Sequence, residues 1–206
     1  MKIRDLFEAP LPPEWDREKF SPRTSFRQMV AYAKERAIQV GRGSSRVAFE
    51  VPYQGRKSVI KVAVNNKGIA QNFEEAHLLD DGYIRQMDIV IPLIDYDTEN
   101  GNRISWIHTE YAQKLTQRQL ERYFGGVSMS DITLFLDYAR SGNRKQGLIP
   151  DSLHDNEYFQ ELRDLVINFD IPPNDLARKA NWGLYKGKPV IIDLGLTSET
   201  IKLYGG

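Results

Sequence analysis

The stretch Asp175–Gly195, DLARKANWGLYKGKPVIIDLG, carries two carboxylates and one carboxamide in a pattern that reads as a loop, a short hairpin and an apolar run. The loop ends at Asn181, and the run Val190-Ile191-Ile192 delivers Asp193 into a turn at Gly195. A hairpin folding back on itself would gather Asp175, Asn181 and Asp193 at one end. Hard oxygen ligands of this kind suit magnesium, which usually takes one or two carboxylates and completes its shell with water and substrate phosphate. This stretch therefore predicts the metal end of a phosphate site, and the phosphate end has to come from elsewhere.

Working outward, the candidate for that other end is Gly41 to Lys61. Gly41-Arg42-Gly43-Ser44-Ser45-Arg46-Val47 lies between strand candidates, not ahead of a helix. That argues against a dinucleotide-binding turn, whose glycines must open a helix. A strand–Gly-x-Gly–strand loop can instead fold over phosphates, because glycine lets backbone N–H groups come close. The plainer alternative is an ordinary turn. Lys61 sits in the apolar run Val59-Ile60-Lys61-Val62-Ala63, where a lysine is rare without a partner. It is either an edge-strand lysine pointing to water or an ammonium held by a carboxylate and aimed at phosphate. Glu75, one turn before Leu78 and Leu79 beside an apolar helix face, supplies that carboxylate, with Glu74 as the competing choice.

The remaining segments frame these two. Val47, Phe49 and Val51 alternate, residues 52–56 turn, and residues 59–64 run apolar, which predicts a hairpin. Gly68 to Leu79 has helical spacing; Asp88–Asp95 and Arg103–Tyr111 read as strands joined through Asn100-Gly101. After Ala112 the pattern turns helical: Leu115–Tyr123, then a helix opened by Ser128 and Asp131 and running to Arg140, then His154–Phe169. Ahead of the strands, Ser25–Ala37 reads as a helix capped by Thr24 or Ser25, preceded by a proline-punctuated arm. The class is α+β: residues 1–37 as arm and helix, 38–112 as a sheet-rich part, 113–206 as a mainly helical part.

Bulk properties narrow the function classes. The chain has 206 residues, with Lys+Arg and Asp+Glu both at 28, so its formal net charge is zero. That balance gives no electrostatic reason to expect a nucleic-acid or membrane partner. The absence of cysteine excludes disulfides and thiolate metal sites and fits a cytoplasmic setting. No apolar run reaches membrane-spanning length, and the charged N-terminus does not read as a signal peptide. His77, His108 and His154 lack metal-ligand spacing, and Trp15, Trp106 and Trp182 read as packing residues.

The order Gly-x-Gly loop, Val-Ile-Lys strand, Glu-bearing helix, Thr109-Glu110-Tyr111-Ala112, Asp175…Asn181 and Asp193-Leu194-Gly195 resembles the protein-kinase-like superfamily. The chain is also similar to small kinase-like proteins of tailed bacteriophages, which would place it in a host cytoplasm. The resemblance implies a two-lobed fold with a small antiparallel sheet and one helix in the first lobe and a reduced helical second lobe. It implies that Gly41, Gly43 and Ser44 cover the phosphates of ATP and that Lys61, braced by Glu75, contacts them. The backbone of Glu110 and Ala112 would bind adenine, with Thr109 behind it; Asp175 would orient or deprotonate an acceptor hydroxyl; Asn181 and Asp193 would hold magnesium.

Departures from the family pattern accompany it. Arg46 stands where the third loop glycine would be, and Asp175 lacks the usual His-Arg lead-in. Asp175 and Asn181 are 181 − 175 = 6 positions apart, one more than the family spacing, so the loop must bulge; Asp170 is the alternative base. Ala177 replaces a phosphate-contacting lysine, with Arg178 or Lys179 as substitutes, and only 206 − 195 = 11 residues follow Gly195, which leaves no activation segment. The expectation is an ATP- and magnesium-dependent phosphotransferase acting on a hydroxyl of a protein or small molecule. A pseudokinase or nucleotide-binding interaction module, and a structural or assembly protein that kept the fold, are the alternatives.

Overall fold

A computed structural model describes residues 11–12, 15–142 and 149–194. The chain divides into two compact units, Met1–Ala76 with Pro92–Tyr111, and His77–Ile91 with Ala112–Gly206.

The first unit is a five-stranded antiparallel sheet ordered β1-β2-β3-β5-β4. Its strands are β1 (Ile38–Arg42), β2 (Arg46–Tyr53), β3 (Arg56–Ala63), β4 (Leu93–Tyr96) and β5 (Trp106–Glu110). The β2–β3 pairing runs from Arg46 opposite Ala63 to Tyr53 opposite Arg56, with Ala48 opposite Lys61. The connecting pair Gln54 (φ 48°) and Gly55 (φ 74°) is left-handed throughout, which matches the natural twist of two-residue hairpins.

Side chains alternate across this sheet, so β2 and β3 serve two different layers. Val47, Phe49, Val51, Ile60 and Val62 face a core shared with Leu11, Trp15, Phe20, Met29, Tyr32 and Ala33. Helix α1 (Phe26–Arg36) supplies the last three; its N-cap Ser25 forms a capping box with Gln28. Ahead of it, Trp15 stacks on Phe20 at 6.0 Å and meets Tyr32 edge-on at 5.9 Å. The opposite face carries Arg46, Ala48, Lys61 and Ile107, and helix α2 (Asn66–Asp80) packs Ala76 and Phe73 there against Ile104 and Ile107. Gly68 near the start of α2 has no room for a side chain: a Cβ would lie 2.1 Å from the Ser45 carbonyl oxygen.

The second unit is mainly helical: α3 (Gln117–Tyr123), α4 (Met129–Ser141), α5 (Asp151–His154), α6 (Glu157–Asn168) and α7 (Pro173–Leu176). Each longer helix begins at a polar cap, Thr116, Ser128 and Asn156 respectively, whose side chain accepts a first-turn N–H. Leu162, Leu165 and Val166 of α6 and Ile132 and Leu136 of α4 are buried, as the sequence periodicity requires. The hairpin β6 (Trp182–Tyr185) and β7 (Lys188–Ile191) completes the unit, turning at Lys186 and Gly187. Among the described residues no helix is long and apolar enough to cross a membrane.

One sequence expectation is corrected. Asp88–Asp95 is not a single strand: only Leu93–Tyr96 joins the five-stranded sheet. Residues 89–91 instead run beside β7, with the Ile91 N–H donating to the Ile191 carbonyl at 3.0 Å and the Ile191 N–H donating to the Ile89 carbonyl at 2.7 Å. Pro92, which has no N–H to give to a ladder, marks the break. The Asn100-Gly101 turn is present, but the loop it belongs to is longer than a tight hairpin. It is organised by the buried Asp97 carboxylate, which accepts from the Asn100 side chain at 2.8 Å and the Ser105 N–H at 3.0 Å.

Candidate functional site

Two clusters carry the candidate chemistry, one in each unit. In the first, Lys61 projects from β3 on the α2 side of the sheet, and its Nζ lies 2.5 Å from Glu75 Oε1. Glu75 is 0% exposed and Lys61 8% exposed, so the pair is removed from water. Of the two glutamates weighed from the sequence, Glu75 is the one on this face. Its second oxygen is taken by Arg46, whose Nη1 lies 2.5 Å from Oε2. The same Arg46 nitrogen donates to Asn72 Oδ1 at 3.2 Å, and Asn72 Nδ2 donates to the Ile104 carbonyl at 3.1 Å. Arg46 itself is 7% exposed. One carboxylate thus bridges cations from two adjacent strands.

The glycine loop precedes this cluster. Gly43 N–H donates to the Arg46 carbonyl at 2.9 Å, closing the turn between β1 and β2. The Ser44 carbonyl accepts from Asn65 Nδ2 at 3.0 Å, and Ser45 Oγ donates to Gln71 Oε1. Gly41 and Gly43 differ from Gly68: a Cβ at either would meet nothing closer than 3.5 Å, and neither adopts positive φ. The local fold leaves room for a side chain at both positions.

Ala48 and Val59 were not singled out from the sequence. The register places Ala48 opposite Lys61 and Val59 opposite Thr109, so these small and branched apolar groups share the Lys61 face. Both are only partly buried, whereas Thr109 is buried. The alternation of β2 and β3 was the signal that could have found them. Glu110 ends β5 with its carboxylate 2.7 Å from Arg56, and its N–H donates to the Pro92 carbonyl at 3.0 Å. That N–H is therefore engaged and not open to a ligand, a restriction on the backbone role expected of Glu110.

In the second unit, Asp175 sits in α7 and is 8% exposed. A single turn of 3-10 helix, Lys179–Asn181, leads from it into β6. Asn181 ties the turn together at both ends. Its side-chain Nδ2 donates to the Asp175 carbonyl at 2.9 Å, and its own carbonyl accepts the Ile192 N–H at 2.7 Å. Asp193 follows immediately. Trp182 Nε1 donates to the Leu176 carbonyl at 2.7 Å, fixing the hairpin under α7. Gly183 lets Ala112 pack against the hairpin, since a Cβ there would lie 2.5 Å from the Ala112 Cβ. Gln113 continues the contact by exchanging backbone hydrogen bonds with Leu184 at 2.8 and 2.7 Å.

The Asp175 carboxyl titrates above its ordinary range. Burial is the main cause; Arg178, 3.4 Å away, pulls it down, and the Asp193 carboxylate pushes it up. The hairpin therefore brings the two carboxylates and the Asn181 amide into one neighbourhood. Asp170, the alternative base, is paired with Arg140 on the surface. Gly195 lies outside the described residues. Among the described residues no group of three or more His, Cys, Asp or Glu side chains is placed to hold a metal ion. Two carboxylates and an amide fit a metal that takes part of its shell from water and phosphate, not a closed protein cage.

No model of a known protein family matches the chain, and no curated protein matches it.

Proposed function

We propose that the protein is a kinase-like phosphotransferase that binds ATP with magnesium and transfers phosphate to a hydroxyl. The observation that carries this is the buried Lys61–Glu75 pair, a strand lysine braced at 2.5 Å by a helix carboxylate. A lysine so deeply placed beside a loop whose glycines the fold itself does not require is suited to phosphate oxygens. Ala48 and Val59, partly exposed on the same face, offer an apolar surface to a base. Asp175, whose pKa burial raises, is suited to accept a hydroxyl proton, because a base works best with its pKa drawn toward the working pH. Asn181 and Asp193 would hold magnesium, which when bound neutralises phosphate charge. Catalysis in such a site is mainly positioning and charge stabilisation.

Melting the protein with and without saturating ATP and magnesium tests binding: a ligand at one hundred times its Kd adds about 2.7 kcal/mol. An unmoved melting temperature would defeat the proposal. Labelled phosphate then tests transfer, with Asp175→Ala expected to lower it by roughly 10²–10⁴-fold while binding persists. Lys61→Ala should weaken both. A second reading, a nucleotide-binding interaction module without transfer, is favoured by one observation: Arg46 shares Glu75 with Lys61 and so changes the charge around the phosphate-facing lysine. Binding without transfer would select it.

A further inference from the structure

We propose that Arg46 is a positioning residue: it holds Glu75 so that Lys61 stays aimed at the phosphates, and it fastens the glycine loop to α2. Its consequence for phosphoryl transfer rests on the function proposed above, but its structural action can be measured without nucleotide.

The geometry is a row of contacts along one face of α2. Gly68, Gln71, Asn72 and Glu75 follow one another at helical spacing, so they present one stripe to the sheet. Every one of them meets Ser45 or Arg46. Gly68 packs on the Ser45 carbonyl, Gln71 accepts from Ser45 Oγ, and Asn72 and Glu75 both accept from Arg46 Nη1. The Ser45 carbonyl also accepts the Val64 N–H at 2.8 Å, which ties Ser45 to the residue that follows β3. A carboxylate held by Lys61 alone could rotate about its last torsion. Held also by Arg46 at Oε2, it is fixed in plane with Oε1 toward Lys61. The planar guanidinium is suited to this because its donors are pre-organised, whereas an ammonium is a point charge on a flexible stem. The helix, the loop and the lysine are therefore one piece.

The test uses the full chain and the variants Arg46→Gln, Arg46→Lys and Glu75→Gln. The first readout is the rate at which Lys61 Nζ is acetylated by an N-hydroxysuccinimide ester, resolved by mass spectrometry, with the exposed Lys57 as internal control. Arg46→Gln should speed labelling of Lys61 by about tenfold, within the range of coupled neighbours, and leave Lys57 unchanged. Arg46→Lys should fall between, and it serves in place of Arg46→Gln if that variant does not fold. Unchanged labelling of Lys61 in a folded Arg46 variant overturns the proposal.

The second readout is affinity for ATP with magnesium. Arg46→Gln should weaken it about tenfold in the wild-type background and leave it unaltered in the Glu75→Gln background, because the effect passes through Glu75. An equal loss in both backgrounds means that Arg46 meets the nucleotide directly, which also overturns positioning. If the wild-type protein binds no nucleotide, the proposed function falls and the labelling result alone decides the role of Arg46.

Discussion

The two clusters hold their charges by different means. In the first unit, Glu75 is wholly buried and held by side chains: Lys61 from β3 and Arg46 from β2. In the second, Asp175 and Asp193 are placed by backbone, through the Asn181 amide and the β6–β7 hairpin, with Arg178 3.4 Å from the Asp175 carboxylate. The first arrangement sets two buried cations against one buried carboxylate. The second sets two carboxylates in one neighbourhood, where burial and the Asp193 charge raise the Asp175 pKa and Arg178 lowers it. The contrast is between a charge fixed by other side chains and charges placed by the backbone of a hairpin.

The sharpest way to break this contrast is Glu75→Ala. It removes the anion shared by two buried cations and should cost about 3–5 kcal/mol, read from urea unfolding. A loss below 1 kcal/mol on the same scale would show that the cluster is as well solvated as a surface pair. Next come the two crowded glycines. Gly68→Ala and Gly183→Ala each force a Cβ into an occupied position and should each cost about 1–3 kcal/mol, which would show that packing is equally tight in the two units despite the difference in charge.

Asn181→Ala should cost about 0.5–1.5 kcal/mol, the net worth of the hydrogen bond to the Asp175 carbonyl. The smallest effect has the opposite sign. Burial raises the folded-state pKa of Asp175 above its unfolded value, so the native state binds that proton more tightly. The stability this confers is present below the unfolded pKa and lost as pH rises through the folded one. Asp175→Asn should therefore stabilise the protein slightly at neutral pH, with the gain fading as pH falls through the carboxylate range. A gain that stays constant down to the acid limit would show that ionisation of Asp175 is not its origin.

Much of the first unit was legible because its signals are local. The alternation Val47-Phe49-Val51 and the apolar run around Lys61 fix a hairpin, and a lysine in that run calls for a buried partner on the next helix. Arg46 was not legible in the same way. The sequence shows it only as the residue standing where a third loop glycine would be, and the β2–β3 register, a long-range property, turns it toward α2. Residues 89–91 failed for a related reason. Ile89-Val90-Ile91 has the composition of a strand, but periodicity does not say which ladder a strand joins, and these residues run beside β7. In the second unit the segment from Asp175 to Asn181 reads as a loop in the sequence, whereas Asp175 sits in the short helix α7 and Lys179–Asn181 form a 3-10 turn. Its 3-10 geometry depends on the Asn181 hydrogen bonds, which composition does not reveal.

The aromatic layer beneath the sheet has a practical consequence. Composition draws a boundary near residue 37, and a shortened chain beginning at Ile38 would look like a tidy domain. Such a chain would bare Val47, Phe49, Val51, Ile60 and Val62 to water along a whole sheet face. Trimmed protein should then precipitate or self-associate at concentrations where the full chain stays dispersed, because the leading segment is the floor on which the strands are laid.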